Sequence, residues 1–395
     1  MPGYPNPHVA IVGAGASGVL LASALVRPPT SLHVVLIDPQ PGRGVAYPPG
    51  DRGPALNTRV GNMSLDATSP AGFQDWLDLY HPRPEGWSLE DFAPRALFGD
   101  YLERRLADLA NRTPGLGSTR IVRARAVAAE RSEDGWSIRL NTGERLQAQQ
   151  LVLAAGLARP RPLLFHGRDQ IEALVQDDPW DQEGLHVRVR GGEVLLIGTG
   201  LTALDVAEAV LQRDPKARVV AVSRHGLLPR VHASPPPLGP ALTPPYPTTA
   251  RELYAKLRAA AEFVEGDSAL RHGVFLGLRQ IAGKLWSGLP DEERLMFLRH
   301  FRRYWDVERH RIPPAQAAFL RKAAAKGRFE TVRGRLAEAK ALPSGQAARV
   351  ALLTSKGPRA LTVSRVVNCT GPEPDPFRSR NALLLDLLAQ GAQRI

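Results

Sequence analysis

The stretches IVGAGASG, Ile11 to Gly18, and LIGTGLTA, Leu196 to Ala203, each close an aliphatic run and open an alanine- and leucine-rich segment. A strand that turns at once into a helix needs no side chain at the first glycine. A pyrophosphate that approaches the backbone needs none at the second, and helix-on-strand packing tolerates only a small one at the third. Gly13, Gly15 and Gly18, with Ala16 and Ser17, form the first set; Gly198, Gly200 and Ala203, with Leu201 and Thr202, form the second. One such motif arises by chance in a chain with 36 glycines, whereas two in matching contexts point to two dinucleotide-binding halves.

The residues beyond each motif separate the halves. Twenty residues beyond Gly18 the run HVVLI ends at Asp38, where a carboxylate accepts hydrogen bonds from both ribose hydroxyls and suits an adenosine without a 2′-phosphate. Twenty residues beyond Ala203 the run RVVAV ends in Ser223, Arg224 and His225. A guanidinium forks onto a 2′-phosphate that a carboxylate would repel. The first site is therefore read as FAD and the second as NADPH.

The halves repeat each other further on. Strand-rich stretches at 120–130, 136–140 and 150–156 follow the first motif and lead to Pro160 and Pro162; stretches at 329–332, 349–354 and 364–371 follow the second and lead to Pro372 and Pro374. The fold class expected is α/β, with two Rossmann-like dinucleotide-binding domains for FAD and NADPH. The first spans 1–165 and the second 166–375, with an insertion at about 229–327, and 376–395 begins a return to the first domain. Within the insertion, 229–247 carries eight prolines and cannot be regular helix or central strand, whereas about 249–325 has helical spacing. Such a segment commonly roofs a cofactor cleft, so substrate choice is placed there.

These motifs, with GRGVAY (42–47), LLIGTGLTALDVA (195–207), SRHGLLPR (223–230), YWDVERHRIPP (304–314) and VVNCTGP (366–372), resemble the two-dinucleotide-domain flavoproteins, within them the FAD/NAD(P)-binding proteins. More distantly, VLAAGLARPRP (152–162) is similar to the hinge of flavin monooxygenases that N-hydroxylate amines or insert oxygen beside carbonyls. The resemblance implies NADPH reducing a flavin whose C4a-hydroperoxide oxygenates a small metabolite bearing an amine or a carboxylate, with molecular oxygen as co-substrate. It brings Asn57, Met63 and Ser64 to the flavin ring, and adds Gly44, Val127, Ala155 and Gly156 to the first cofactor set. The family's chain normally returns after the NADPH domain with a last strand and helix, whereas this sequence stops at Ile395, soon after the run 381–390. A reductase without oxygenation, or a non-catalytic dinucleotide-binding protein, stays open as an alternative.

Other features bound the reading. The loop 42–64, with five glycines and three prolines, should run over the flavin, where Arg43 can reach the pyrophosphate. Cys369 is the only cysteine, which excludes an internal disulfide, a dithiol reductase and a cysteine-ligated cluster, and its place in an apolar run gives it a core role. No metal site is expected. The net charge of +12 comes mostly from arginine scattered through every segment, with only seven lysines, so nucleic acid is not the expected partner. One cluster of arginines and histidines at 299–311, interleaved with Phe301, Tyr304 and Trp305, is either a solvated helix face or a basic wall near the nicotinamide. No apolar run reaches the roughly 18 residues that span a bilayer, and residues 1–8 lack a signal core, so the expected location is cytoplasmic. His81, His166, His232 and His272 are unassigned, and no catalytic acid or base is named.

Overall fold

A computed structural model describes residues 7–50, 53–111, 117–180, 192–234, 242–264 and 266–392. The chain divides into two compact units, Met1–Leu163 with Gly371–Ile395, and Leu164–Thr370.

The first unit runs β1 (Val9–Val12), α1 (Ala16–Leu25), β2 (His33–Ile37), α2 (Gly72–Tyr80), α3 (Arg95–Ala110), β3 (Ser118–Val122), β4 (Ala126–Ser132), β5 (Gly135–Leu140), β6 (Arg145–Ala148) and β7 (Gln150–Leu153). Its parallel sheet has the order β3-β2-β1-β7, and β4-β5-β6 form a separate antiparallel meander. Strand side chains alternate between faces, so a sheet covered on both sides needs an unbroken apolar run. Ile11, Val34 and Leu36 face α1 and α3 through Val19, Ala22, Leu102 and Leu106. Ala10, Val12, Val35 and Ile37 belong to the opposite core, with Ala129, Ile138 and Leu140 of the meander.

The second unit has β8 (Val175–Gln176), β9 (Glu193–Ile197), α4 (Leu201–Arg213) and β10 (Arg218–Ser223). The helices α5 (Ala250–Phe263), α6 (Ser268–Gln280), α7 (Ala282–Ser287), α8 (Asp291–His300), α9 (Arg302–Arg309) and α10 (Pro314–Ala325) come next, followed by β11 (Phe329–Ala341), β12 (Ala348–Thr354), β13 (Gly357–Val363) and β14 (Arg365–Asn368). The sheet order is β13-β12-β11-β10-β9-β14-β8. Within it β11-β10-β9-β14 repeats the parallel order β3-β2-β1-β7, and β11-β12-β13 repeats the meander, except that β11 serves as both sheet strand and first meander strand. Both meanders bulge in their first strand, at Val127 and at Ala337. The helices α5 to α9 enclose a core of their own around Leu253, Leu257, Leu278 and Phe297. Of the proline-rich stretch, 235–241 lies outside the described residues.

The run 381–390 becomes α11 (Ala382–Ala389), assigned to the first unit, with Leu383 and Leu387 in the core beneath the meander. Asp386 accepts from the Ala129 amide at 3.0 Å, and Gln390 donates to the Ala129 carbonyl at 2.9 Å. The sequence reading has 376–395 begin a return to the first domain. In the structure it covers the β4-β5-β6 side of the first unit.

Candidate functional sites

Both glycine turns are built on the same backbone lattice. The Gly13 amide donates to Ile37 O at 2.9 Å, as Gly198 donates to Val222 O at 2.8 Å. After the last parallel strand of each unit, the Ala154 amide returns to Val12 O at 2.7 Å and the Cys369 amide to Ile197 O at 2.9 Å. The resulting carbonyls of Ala154 and Cys369 occupy the space where a side chain on Gly13 or Gly198 would begin. With φ of +105° and +126°, those two positions exclude any other residue on conformation as well as on space. Gly18 is similarly closed by the carbonyl of Gly13, whereas Ala203 is buried with room for its methyl.

At the middle glycine the space is left open. A Cβ on Gly200 would meet nothing within 4 Å, and one on Gly15 would meet only Gly44, its Cα at 3.5 Å and its N at 4.0 Å. Gly15 and Gly200 are the N-caps of α1 and α4, and neither helix has a side-chain cap or an acid in its first turn. Their first N–H groups lack the partners that Thr249, Asp267 and Asn381 supply to α5, α6 and α11. An uncapped N-terminus beside an open glycine fits a phosphate, for which those amides and the helix dipole supply the partners.

The decoration of the two turns differs at one equivalent position. In the first unit Asp38 Oδ2 accepts from the Ala14 amide at 2.8 Å and Oδ1 from the Gln40 amide at 2.7 Å, so a carboxylate sits at the turn with lone pairs to spare. In the second unit Ser223 takes that place, its hydroxyl 2.9 Å from Thr199 Oγ1 and accepting from the Gly226 amide at 3.0 Å. Arg224 beside it is exposed, and Ser223 pairs in register with Arg333 of β11. Burial, and then the charges of Arg303, Arg224 and Arg333, hold His225 below the usual imidazole range, so cations from three elements gather at this strand end.

The loop 42–64 crosses the first turn through its glycines. The Gly42 amide donates to Ala14 O at 2.9 Å, and Gly44, at φ +66°, packs on Gly15. Arg43, expected to reach the pyrophosphate, is engaged by α3. Its guanidinium donates to Ala96 O at 3.1 Å and pairs with Asp100 and with Glu103, the latter at 3.0 Å, so α3 already compensates its charge. Ser64 is likewise occupied, donating to Asp66 O at 3.0 Å and accepting from the Asp66 amide at 3.1 Å. Met63 packs against the core of the first unit, and Asn57 follows Leu56, whose amide binds Ala93 O at 2.8 Å. Ala155 and Gly156 are exposed past the end of β7, and Val127 is the extra residue of the β4 bulge.

The remaining motif residues make contacts within their own unit. Cys369 is fully buried and desolvation pushes its thiol far up, which leaves it inert. Asn368 Oδ1 accepts from Thr370 N and Oγ1 at 3.2 and 2.7 Å, shaping the turn that carries the Cys369 carbonyl. In the cluster at 299–311, Glu308 is buried and binds Arg271 at 2.6 Å, Arg230 at 3.3 Å and Arg311 at 3.2 Å. Burial lowers the Arg311 guanidinium to about 10, with Glu308 opposing that shift. Phe301 and Trp305 pack on the core of the helical insertion. His166 adds to the edge of β11, its amide donating to Ala337 O and its carbonyl accepting from Ala339. His232 and His272 stack edge to face at 5.3 Å. Sequence reasoning missed Asp205, a buried carboxylate on α4 that takes Gln316 Nε2 of α10 at 3.0 Å.

The chain shares its fold with solved flavoenzymes. Residues 10–158 match the family described as FAD-NAD(P)-binding. The ornithine N-hydroxylase KtzI of Kutzneria sp. 744, solved with reduced FAD, NADP⁺ and L-ornithine, superposes with a TM-score of 0.61 at 18% identity, over 99% of this chain and 86% of that one. The ornithine hydroxylase PvdA of Pseudomonas aeruginosa gives 0.60 at 17%, over 99% and 87%. The cadaverine monooxygenase DfoA of Erwinia amylovora, bound to FAD, gives 0.60 at 15%, over 99% and 83%. The fold is that of the two-dinucleotide-domain flavoproteins. No protein of curated function matches the chain by sequence. Among the described residues no helix is long and apolar enough to cross a membrane, and no group of three or more His, Cys, Asp or Glu could hold a metal ion.

Proposed function

We propose that this chain is an FAD- and NADPH-dependent oxidoreductase that hydroxylates a small amine-bearing metabolite with molecular oxygen. The observation that carries the reading is one cradle built twice and decorated oppositely, with Asp38 at the first turn and Ser223 with Arg224 at the second. Both cradles fit a pyrophosphate at the uncapped N-termini of α1 and α4, against Gly15 and Gly200. When bound, FAD would supply the electron store and the oxygen chemistry, and NADPH the hydride.

The chain's own part is binding and orientation. Gly13, Gly15, Ala16, Ser17, Gly18 and Gly44 would seat the FAD pyrophosphate, and Asp38 would accept from the adenosine ribose. Gly198, Gly200, Leu201 and Thr202 would seat NADPH, and Arg224 would fork onto its 2′-phosphate. Asn57, Met63, Val127, Ala155 and Gly156 would approach the flavin ring, with Ser64 fixing the loop. An amine substrate is favoured by the ornithine and cadaverine enzymes that share the fold. The cytoplasm, where NADPH is held reduced, is the proposed compartment.

The deciding measurement is an absorbance spectrum of the purified chain from about 300 to 550 nm, loaded with FAD, before and after anaerobic NADPH. Flavin bands that bleach, followed by oxygen-dependent formation of a hydroxylated amine from an amine panel, are expected. Bleaching with no product from any amine would leave a reductase, and a chain that takes up NADPH but no flavin would leave a dinucleotide-binding protein.

A further inference from the structure

We propose that the outer face of α8, in the helical insertion of the second unit, is an interface on which a second copy of this chain docks antiparallel about a twofold axis. Phe297 anchors α8 in the insertion's own core. At about 100° per residue, Leu295 and Arg299 stand about 160° to either side of Phe297 and Glu292 about 140° from it, so these three share the face turned away from that core. Leu295 is 67% exposed in mid-helix, and Met296 and Leu298 beside it are 46% and 45% exposed. A lone exposed leucine is ordinary on a protein surface, whereas long apolar side chains at 295, 296 and 298 of one solvent-facing helix make a patch.

The charges around the patch say what covers it. Asp291 pairs with Arg294 at 2.8 Å, Glu293 accepts from the Ala250 amide at 2.6 Å, and Arg302, just past the helix, pairs with Asp306 at 3.2 Å. Glu292 and Arg299 are both exposed, and among the described residues neither side chain has a hydrogen-bond or ion-pair partner. The two charges left over are thus the two that lie on the apolar face, one toward each end.

Seven residues apart, Glu292 and Arg299 bracket the patch over about 10.5 Å of helix, and the midpoint between them falls between Leu295 and Met296. A twofold axis through that midpoint, at right angles to the helix, sets each copy's Glu292 against the other's Arg299 and brings the two apolar centres together. One patch then serves both copies, as a twofold interface requires. A parallel pairing in register would instead set Glu292 on Glu292 and Arg299 on Arg299. Exposed ion pairs add little energy, so these two fix direction and register while burial of the apolar centre supplies the affinity. One helix per copy is a small contact, so a dissociation constant on the order of 10 µM is expected.

The test is analytical ultracentrifugation of the full chain in excess FAD and NADP⁺, over about 1 to 200 µM protein, where a monomer–dimer equilibrium should show its midpoint. Leu295→Glu should weaken the dimer at least about tenfold while the melting temperature of the dilute chain stays unchanged. Glu292→Arg and Arg299→Glu should each stay monomeric alone yet dimerise when mixed, because only the mixed pair restores opposite charges at both ends of the contact. A chain that is monomeric throughout the range overturns the proposal. So does dimerisation undiminished in Leu295→Glu, or failure of the two charge variants to pair when mixed, since the contact would then lie elsewhere or run in the other direction.

Discussion

Gly198 and Gly200 stand two residues apart in one turn, yet the same alanine substitution should act on them in opposite ways. Gly198→Ala must move the Cys369 carbonyl and adopt φ +126°, so a loss of about 3 kcal/mol or more in unfolding free energy is expected by denaturant titration. Gly200→Ala adds a methyl to open space, so stability should stay within about 0.5 kcal/mol while NADPH affinity falls at least about tenfold. Arg224→Glu should weaken NADPH by about two orders of magnitude and leave NADH nearly unchanged in fluorescence titrations; equal losses would remove Arg224 as the discriminator. His225 adds a pH signature. Its folded pKa is depressed, so the unfolded chain binds that proton first, and stability falls as pH drops through the ordinary imidazole value of about 6.5. A 2′-phosphate among the same cations would raise the pKa again. NADPH binding near pH 6.5 should therefore take up protons, and NADH binding should not, which calorimetry in buffers of different ionisation heat would detect.

At the scale of elements, Glu308 of α9 holds three arginines that come from α6, from the strand end after β10 and from the turn before α10. Glu308→Ala would strand the buried Arg311 without its counter-charge, with an expected cost of about 3–5 kcal/mol on breaking a buried pair. Chemical denaturation that shows less than about 1 kcal/mol would count against this role. In the first unit, Leu383→Ala should cost about 2–5 kcal/mol, because α11 is part of the core. The parallel strands were legible in the sequence because burial on both faces turns each into an unbroken apolar run, as in HVVLI and VLLI. By contrast, β13 alternates exposed and half-buried residues, and β8 has only two, so neither leaves a comparable run. The glycine turns and the acid-for-serine exchange were legible because fingerprint spacing is local. The ion pairs of Arg43 were not legible because its partners Asp100 and Glu103 lie almost sixty residues away, and no local pattern announces that α3 returns beside the loop.

For the whole molecule, duplication explains more than charge does. Each unit places its excursion after the second parallel strand, its meander after the third, and a carbonyl of its returning segment against its first glycine. The net charge of +12 lies mostly in residues 164–370, where 31 arginines and lysines face 21 acids, yet many arginines, among them Arg27, Arg168, Arg218 and Arg359, pair with acids. Weak oligonucleotide binding at low salt should therefore vanish near 0.15 M salt, and retention there in a filter assay would revive a nucleic-acid role.

The carbonyls of Ala154 and Cys369 also impose an order of events on a chain emerging from the ribosome. A turn that closes on its own unit's last parallel strand cannot be finished when its glycines have been made. The second cradle is complete once residue 369 is available, and the first by residue 154, yet the helix that covers the first unit's meander is still to come. The Ala129 amide, and the core that receives Leu383 and Leu387, must wait until residues 383–387 have been made. The unit translated first is thus the one whose packing is completed after the strands of the second have been made.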